Sequence, residues 1–239
     1  MSTKPLSQSS VPSAETAAGF RRWAIKSAVA ALVMAAILFL AAGRLDWPNG
    51  WLYVGFMAGV LVIDAIVLPH ELLAERSQGR EGTKKWDVFL ASGMAVLLPL
   101  LILVVAGLDK RWRWSPELPT WLILASLMIS LVGALLTIWA MRINAFFSST
   151  VRIQSERGHQ VVSSGPYRFV RHPGYVGVLV CYLPVPFILG ALSALVPTAL
   201  LVLVTFVRTA LEDRTLQAEL PGYRNYAQHT RYRLIPGIW

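Results

Sequence analysis

The chain has 239 residues and a mass of 26.4 kDa, a size that suits one compact bundle. Hydrophobic residues make up 55% and charged residues 15%, where a soluble domain carries about 25% charged residues. This excludes an ordinary soluble globule, and it excludes disorder as the main state. The expected fold is an all-α, polytopic transmembrane helix bundle.

Residues 1–20 are polar and rich in Ser, Ala and Pro, and read as a flexible tail. Arg21, Arg22 and Lys26 then precede an apolar run from Ala28 to Ala42. The run is long and the tail before it extended, which favours an uncleaved span over a signal peptide. Further apolar runs cover Trp51–Leu68, Val88–Leu108 and Trp121 to about Phe147. Crossing a hydrocarbon core of ~30 Å takes about 20 helical residues. The last run, Tyr175–Leu211, is too long for one span and contains Pro184, Pro186, Gly190 and Pro197. It reads as a helical hairpin, Tyr175–Leu189 and Leu192–Leu211, turning near Gly190. The total is five to six spans. The division is a tail (1–20), four N-terminal helices with the loop 71–87 (21–147), and a C-terminal region (148–239).

Net charge is +9, and the pI is about 10.1. Placing the N-terminus in the cytosol puts fifteen of the 22 Lys and Arg on the inside, four outside and three within spans or at their ends. The positive-inside rule therefore places both termini in the cytosol and explains the high pI without a nucleic-acid partner. Cys181 is the single cysteine, which excludes an intrachain disulfide and a multi-cysteine metal site.

Polar residues collect on the expected cytosolic side, in 71–87, 148–174 and the tail from Glu212. Residues 158–177 hold two His, two Tyr, two Arg, two Pro and four Gly directly before a span. Pro166 and Pro173 interrupt regular helix, and Gly165 and Gly174 permit close backbone approach to a ligand. His159 and His172 have no third ligand at metal spacing, so no metal site is expected. Ser163 and Ser164 lack the Gly-x-Ser-x-Gly context of a hydrolase. There is no Walker-type loop and no Gly-x-Gly-x-x-Gly after a strand, which excludes a soluble nucleotide-binding domain. Ionisable residues inside the spans are few. Arg208 and Glu212 share a helix face at i, i+4, either as a structural ion pair or as groups facing a ligand cavity. Asp64, without a visible partner, reads as a packed polar residue near a helix end.

Residues 163–177 (Ser-Ser-Gly-Pro-Tyr-Arg-Phe-Val-Arg-His-Pro-Gly-Tyr-Val-Gly) are followed by the hairpin, Arg208-x-x-x-Glu212, Tyr223, Tyr226 and a closing Arg-Tyr-Arg-Leu-Ile-Pro-Gly-Ile-Trp. Two separated motifs around such a hairpin resemble the isoprenylcysteine carboxyl methyltransferase family, related to membrane phospholipid methyltransferases. The resemblance covers about residues 140–239. Leu72-Leu73-Ala-Glu75-Arg76 and Lys85-Trp86-Asp87 also look like its bacterial-type members, while the N-terminal half departs from the eukaryotic enzymes. The resemblance implies S-adenosylmethionine as methyl donor, bound in a cytosolic-face pocket. By motif, the cofactor would meet Gln154, His159, Gln160, Val161, Val162, Tyr167, His172, Pro173, Gly174, Tyr175 and Glu212. Arg208 would face the acceptor as the catalytic residue. His159, His172 or Arg171 has the charge or donors to meet the cofactor carboxylate. The acceptor would be a lipophilic molecule entering from the bilayer, most simply a carboxylate. The implied location is a bacterial inner membrane. Two other readings stay open. One is an NADPH-dependent membrane reductase of the sterol-reductase type, with Arg168, Arg171 and Arg224 for the 2′-phosphate. The other is a non-catalytic membrane protein of the same fold.

Overall fold

The computed structural model describes residues 13–77 and 82–239. Every regular element among them is helical. Helix α1 (Ala14–Ala42) starts inside the segment read as tail, because Ser13 caps it by accepting from the Thr16 N–H. The rest of that tail, and Arg80 of the first loop, lie outside the described residues. Helix α2 is Pro48–Val67 and α3 is His70–Arg76. Helices α4 (Lys85–Ser92) and α5 (Leu98–Trp112) run together through one π turn at Gly93–Leu97. Helix α6 is Thr120–Ile143, α7 Pro173–Tyr182, α8 Val185–Leu189, α9 Leu195–Glu219 and α10 Tyr223–His229.

Five helices are long and apolar enough to cross a membrane: Ala14–Ala42, Pro48–Val67, Lys85–Trp112, Thr120–Ile143 and Leu192–Glu219. Their outer faces suit lipid, since Leu40 is 75% exposed and Ile66 77%. Exposed Trp51, Trp112, Trp114 and Trp121 cluster at one end of the bundle, where indole rings suit a membrane interface. The chain is an integral, multi-pass membrane protein.

The hairpin forms as expected, with a refinement. Its first arm is two short helices broken at Pro184, together covering Pro173–Leu189. The turn that follows is bonded to the far end of α5. Ser193 Oγ donates to Asp109 Oδ2 at 2.6 Å, and the Leu192 N–H donates to Ser115 Oγ at 2.7 Å. The arm therefore reaches from one end of the bundle to the other, and the start of α1 and the end of α9 share an end. Buried threonines stay compatible with α9 because Thr198, Thr205 and Thr209 donate to carbonyls four residues back.

The tightest packing joins α6 to α7. A Cβ at Gly133 would lie 2.3 Å from the Cys181 backbone N, and one at Gly177 2.7 Å from the Gly133 carbonyl O. Two glycines let the backbones touch, as small residues do between membrane helices. This contact fixes where α7 begins, and so where the loop before it sits.

Candidate active site

The loop 144–172 is held by ion pairs from three helices. From α4, Asp87 is fully buried and accepts from Arg208 of α9 at 2.7 and 3.0 Å, and from the Val151 N–H at 2.6 Å. Arg152 donates to Glu75 of α3 at 2.6 Å and to Glu156 at 2.6 Å. Lys84 reaches Glu219 at 2.7 Å. On the other side, buried Asp213 of α9 takes both Nε and Nη2 of Arg171, and also Tyr223, Gln217 and Arg233. The closing segment adds backbone bonds, from the Arg171 N–H to the Tyr232 carbonyl and from the His172 N–H to that of Arg233.

These pairs enclose a cavity of about 520 Å³ at the end of the bundle that holds the loop. Such a volume falls within the about 300–1,000 Å³ of small-molecule sites. Of the residues the sequence singled out, His159, Gln160, Val161, Val162, Tyr167, His172, Gly174, Tyr175, Arg208 and Glu212 line it. Gln154 and Pro173 do not. Gln154 is 1% exposed, and its amide is consumed by the Phe146 carbonyl and Arg157. Pro173 starts α7 and is buried there. The Gln154 N–H also donates to His159 Nδ1 at 3.3 Å. That bond leaves the proton of a neutral imidazole on Nε2. Burial, then Arg152 and Arg157, push the His159 pKa below 6.5. Its ring stacks on Phe146 at 4.6 Å.

Glu212 does not pair with Arg208. It accepts from Tyr175 Oη at 2.5 Å. Its other oxygen, Oε1, stands 4.0 Å from His172 Nδ1. The Arg208 guanidinium lies 5.5 Å from the Tyr175 ring centroid. Two of its nitrogens are committed to Asp87 and the Ser149 carbonyl, leaving the Nη1 edge. Arg171 also lines the cavity, but most of its N–H groups are spent: Nε and Nη2 on Asp213, and Nη1 on the Thr230 and Arg231 carbonyls. Little of its donor capacity is left for a cofactor carboxylate, and His159 and His172 line the same cavity. Gly174 does give close approach, but to a side chain: a Cβ there would lie 2.6 Å from the Phe147 ring.

Cationic and polar wall residues that the sequence did not single out include Arg76, Asn144, Arg152 and the run Ser148–Thr150. Arg76 Nη1 is buried with no hydrogen-bond partner, and burial lowers its pKa while the Asp64 carboxylate opposes that. Its guanidinium lies 5.4 Å from the Phe147 ring centroid. The signal was the Leu72–Arg76 stretch, noticed as a resemblance but carrying no role. Asn144 donates to Tyr167 Oη at 3.2 Å. Tyr167, Tyr223 and Tyr226 close the opposite wall, with Tyr226 Oη donating to the Tyr167 carbonyl at 2.7 Å. Burial pushes the Tyr226 phenol up to about 12, so it stays a neutral donor.

A second cavity of about 320 Å³ lies deeper between α1, α2, α6 and α7. It is walled mainly by apolar side chains such as Met34, Phe56, Met57 and Ile138. Leu61, Thr137, Met141, Val178 and Tyr182 line both cavities, so the two adjoin.

Residues 123–218 match the sequence model of the isoprenylcysteine carboxyl methyltransferase (ICMT) family. The match runs from α6 to the end of α9 and includes the loop, the hairpin, Arg208 and Glu212. It bears out the family resemblance read from the motifs and supports a membrane methyltransferase. No curated protein matches the chain.

Proposed function

We propose that the protein is an S-adenosylmethionine-dependent membrane methyltransferase whose acceptor is a lipophilic carboxylate. The observation that carries this reading is the pairing of the two cavities. A polar, tyrosine-walled chamber lined largely, not wholly, by the matched segment adjoins an apolar chamber between membrane helices. One suits a charged, water-borne donor and the other the chain of a lipid-like acceptor. The positive-inside bias of the basic residues supports a cytosolic side for the polar chamber.

S-adenosylmethionine, when bound, supplies an electrophilic methyl group on a sulfonium. The residues present fit it. His159 offers a neutral Nε2–H to an anion, and Glu212 Oε1 is free to accept from an amine or a hydroxyl. Tyrosine faces suit adenine and sulfonium, and cation–π contacts at desolvated sites reach about 2 kcal/mol. A carboxylate acceptor is already a nucleophile at neutral pH, so no general base is required. Arg76, with its unpartnered Nη1, and the Nη1 edge of Arg208 supply the positive charge that orients it. Both lie near Tyr175, and their charges are felt by one another. The chain's contribution is then alignment and exclusion of water. A reductase reading loses support from the basic residues it needs. Arg168 and Arg224 do not line the cavity, and Arg171, which does, has most of its N–H groups spent on Asp213 and two carbonyls.

Calorimetry on the detergent-purified protein tests the reading, with S-adenosylmethionine, S-adenosylhomocysteine and NADPH as parallel titrants. Saturable binding of the first two alone is expected. Binding of NADPH alone would overturn the proposal in favour of a reductase.

A further inference from the structure

Asp64 sits in α2 one turn from the end of that helix. The sequence suggested a packed polar residue. Instead it lines the apolar cavity, and its Oδ1 is buried with no hydrogen-bond partner. An unpaired carboxylate in such surroundings is costly, and intramembrane ionisable groups mark ligand sites by default. Arg76 is its electrostatic neighbour, yet no ion pair joins the two among the described residues. Each keeps an unpartnered buried atom. Arg76 lines the polar cavity and Asp64 the apolar one. Leu61, one turn before Asp64, lines both. An orphan anion and an orphan cation therefore flank the junction of the two chambers.

We infer that the acceptor is a lipophilic amino acid carrying a free ammonium group, with its ammonium on Asp64, its carboxylate toward Arg76 and its chain in the apolar cavity. This rests on the carboxylate-acceptor reading and narrows it. A carboxylate at the end of a peptide brings only a neutral amide to Asp64, which leaves the buried negative charge uncompensated. A free ammonium neutralises it and donates a charge-assisted hydrogen bond, worth about 1.5–3 kcal/mol, which corresponds to roughly tenfold or more in affinity. The remaining wall of the apolar cavity offers hydroxyls from Ser27, Tyr53, Thr137 and Tyr182 and no second charge.

Three probes of one chain length separate the possibilities: S-dodecyl-cysteine, its N-acetyl derivative and S-dodecyl-3-mercaptopropionate. Their binding is measured in a single detergent, to the full-length protein and to Asp64→Asn and Asp64→Leu. Cofactor binding is measured beside them on all three proteins. The wild type should favour the ammonium probe by roughly tenfold over the other two. Both variants should lose that preference while still binding S-adenosylmethionine. Equal affinity for the ammonium and acetamido probes in a wild type that binds S-adenosylmethionine would overturn this inference alone. So would a preference that survives in Asp64→Asn. Failure of the wild type to bind S-adenosylmethionine would sink the methyltransferase reading, and this inference with it.

Discussion

Arg208 serves the scaffold and the cavity at once. Its paired nitrogens neutralise Asp87, which has no exposed surface. Arg208→Ala would strand that carboxylate, and breaking a buried pair costs about 3–5 kcal/mol. The alanine variant should therefore lose thermal stability, read by melting in detergent, whatever it does to turnover. Arg208→Lys keeps the charge and loses the fork. It should stay folded, bind the cofactor and turn over slowly. Glu212 is the cleaner probe. Glu212→Gln keeps the shape beside Tyr175 and removes the charge, and cofactor affinity should drop by roughly tenfold, the scale of a charged hydrogen bond. Unchanged affinity in calorimetry would remove Glu212 from the cofactor site. His159 gives a pH signature. Its folded pKa lies below 6.5 because of burial and nearby arginines, so the folded state favours the neutral ring. Between that depressed value and 6.5 the unfolded chain binds more protons, and stability falls as pH drops through this window. His159→Gln should flatten that part of the stability profile. A profile that is unaltered would show another group to be responsible.

The α6–α7 contact carries the precision of the site, because the loop enters α7 immediately after His172. Gly177→Val would drive a side chain into Thr137 Oγ1, only 2.3 Å from the Cβ position, and into the Gly133 carbonyl. Overpacking costs about 1–3 kcal/mol, and backbone contact leaves little room to relax. The helices should separate, lowering the melting temperature and weakening cofactor binding together. A valine variant with native affinity would show that α7 does not set the loop. At the opposite end the hairpin turn depends on Asp109, which takes Ser115 and Ser193. Helix α9 thus enters the bundle fixed at one end by Asp109 and at the other by Asp87 and Asp213.

The whole molecule is a bundle in which charge is concentrated at the end that holds the loops. That asymmetry predicts topology. In a Cys181→Ser background, a cysteine at Glu117 should react with an impermeant thiol reagent from outside intact cells, and one at Glu156 only after permeabilisation. The reverse pattern would invert the placement of the cavity. Ligand linkage is also a property of the whole fold. Saturating S-adenosylmethionine at about 100 times its dissociation constant should stabilise the protein by about 2.7 kcal/mol, seen as a rise in melting temperature.

The sequence by itself determined the class of fold. Apolar runs about 20 residues long leave few alternatives to spanning helices when backbone groups have no water to bond. Basic loops, the 158–177 segment and the Arg208–Glu212 spacing located the end of the bundle where a site is expected. The same letters named part of the cavity wall, since His159–Val162, Tyr167, His172, Tyr175 and Glu212 all reach it. What they did not fix was partnership. Asp87 lies 121 residues from Arg208, and Arg171 lies 42 from Asp213, so no local pattern reveals which charges are spent. Periodicity and motif report faces and neighbours along the chain. Only the packing of α4, α7 and α9 decides that Arg208 and Arg171 are mainly neutralised, and that Arg76 and Asp64 are left with free atoms at the junction of two cavities. The reason is physical: the cost of a buried charge depends on what stands a few ångströms away, which is a property of three-dimensional distance and not of spacing in the chain.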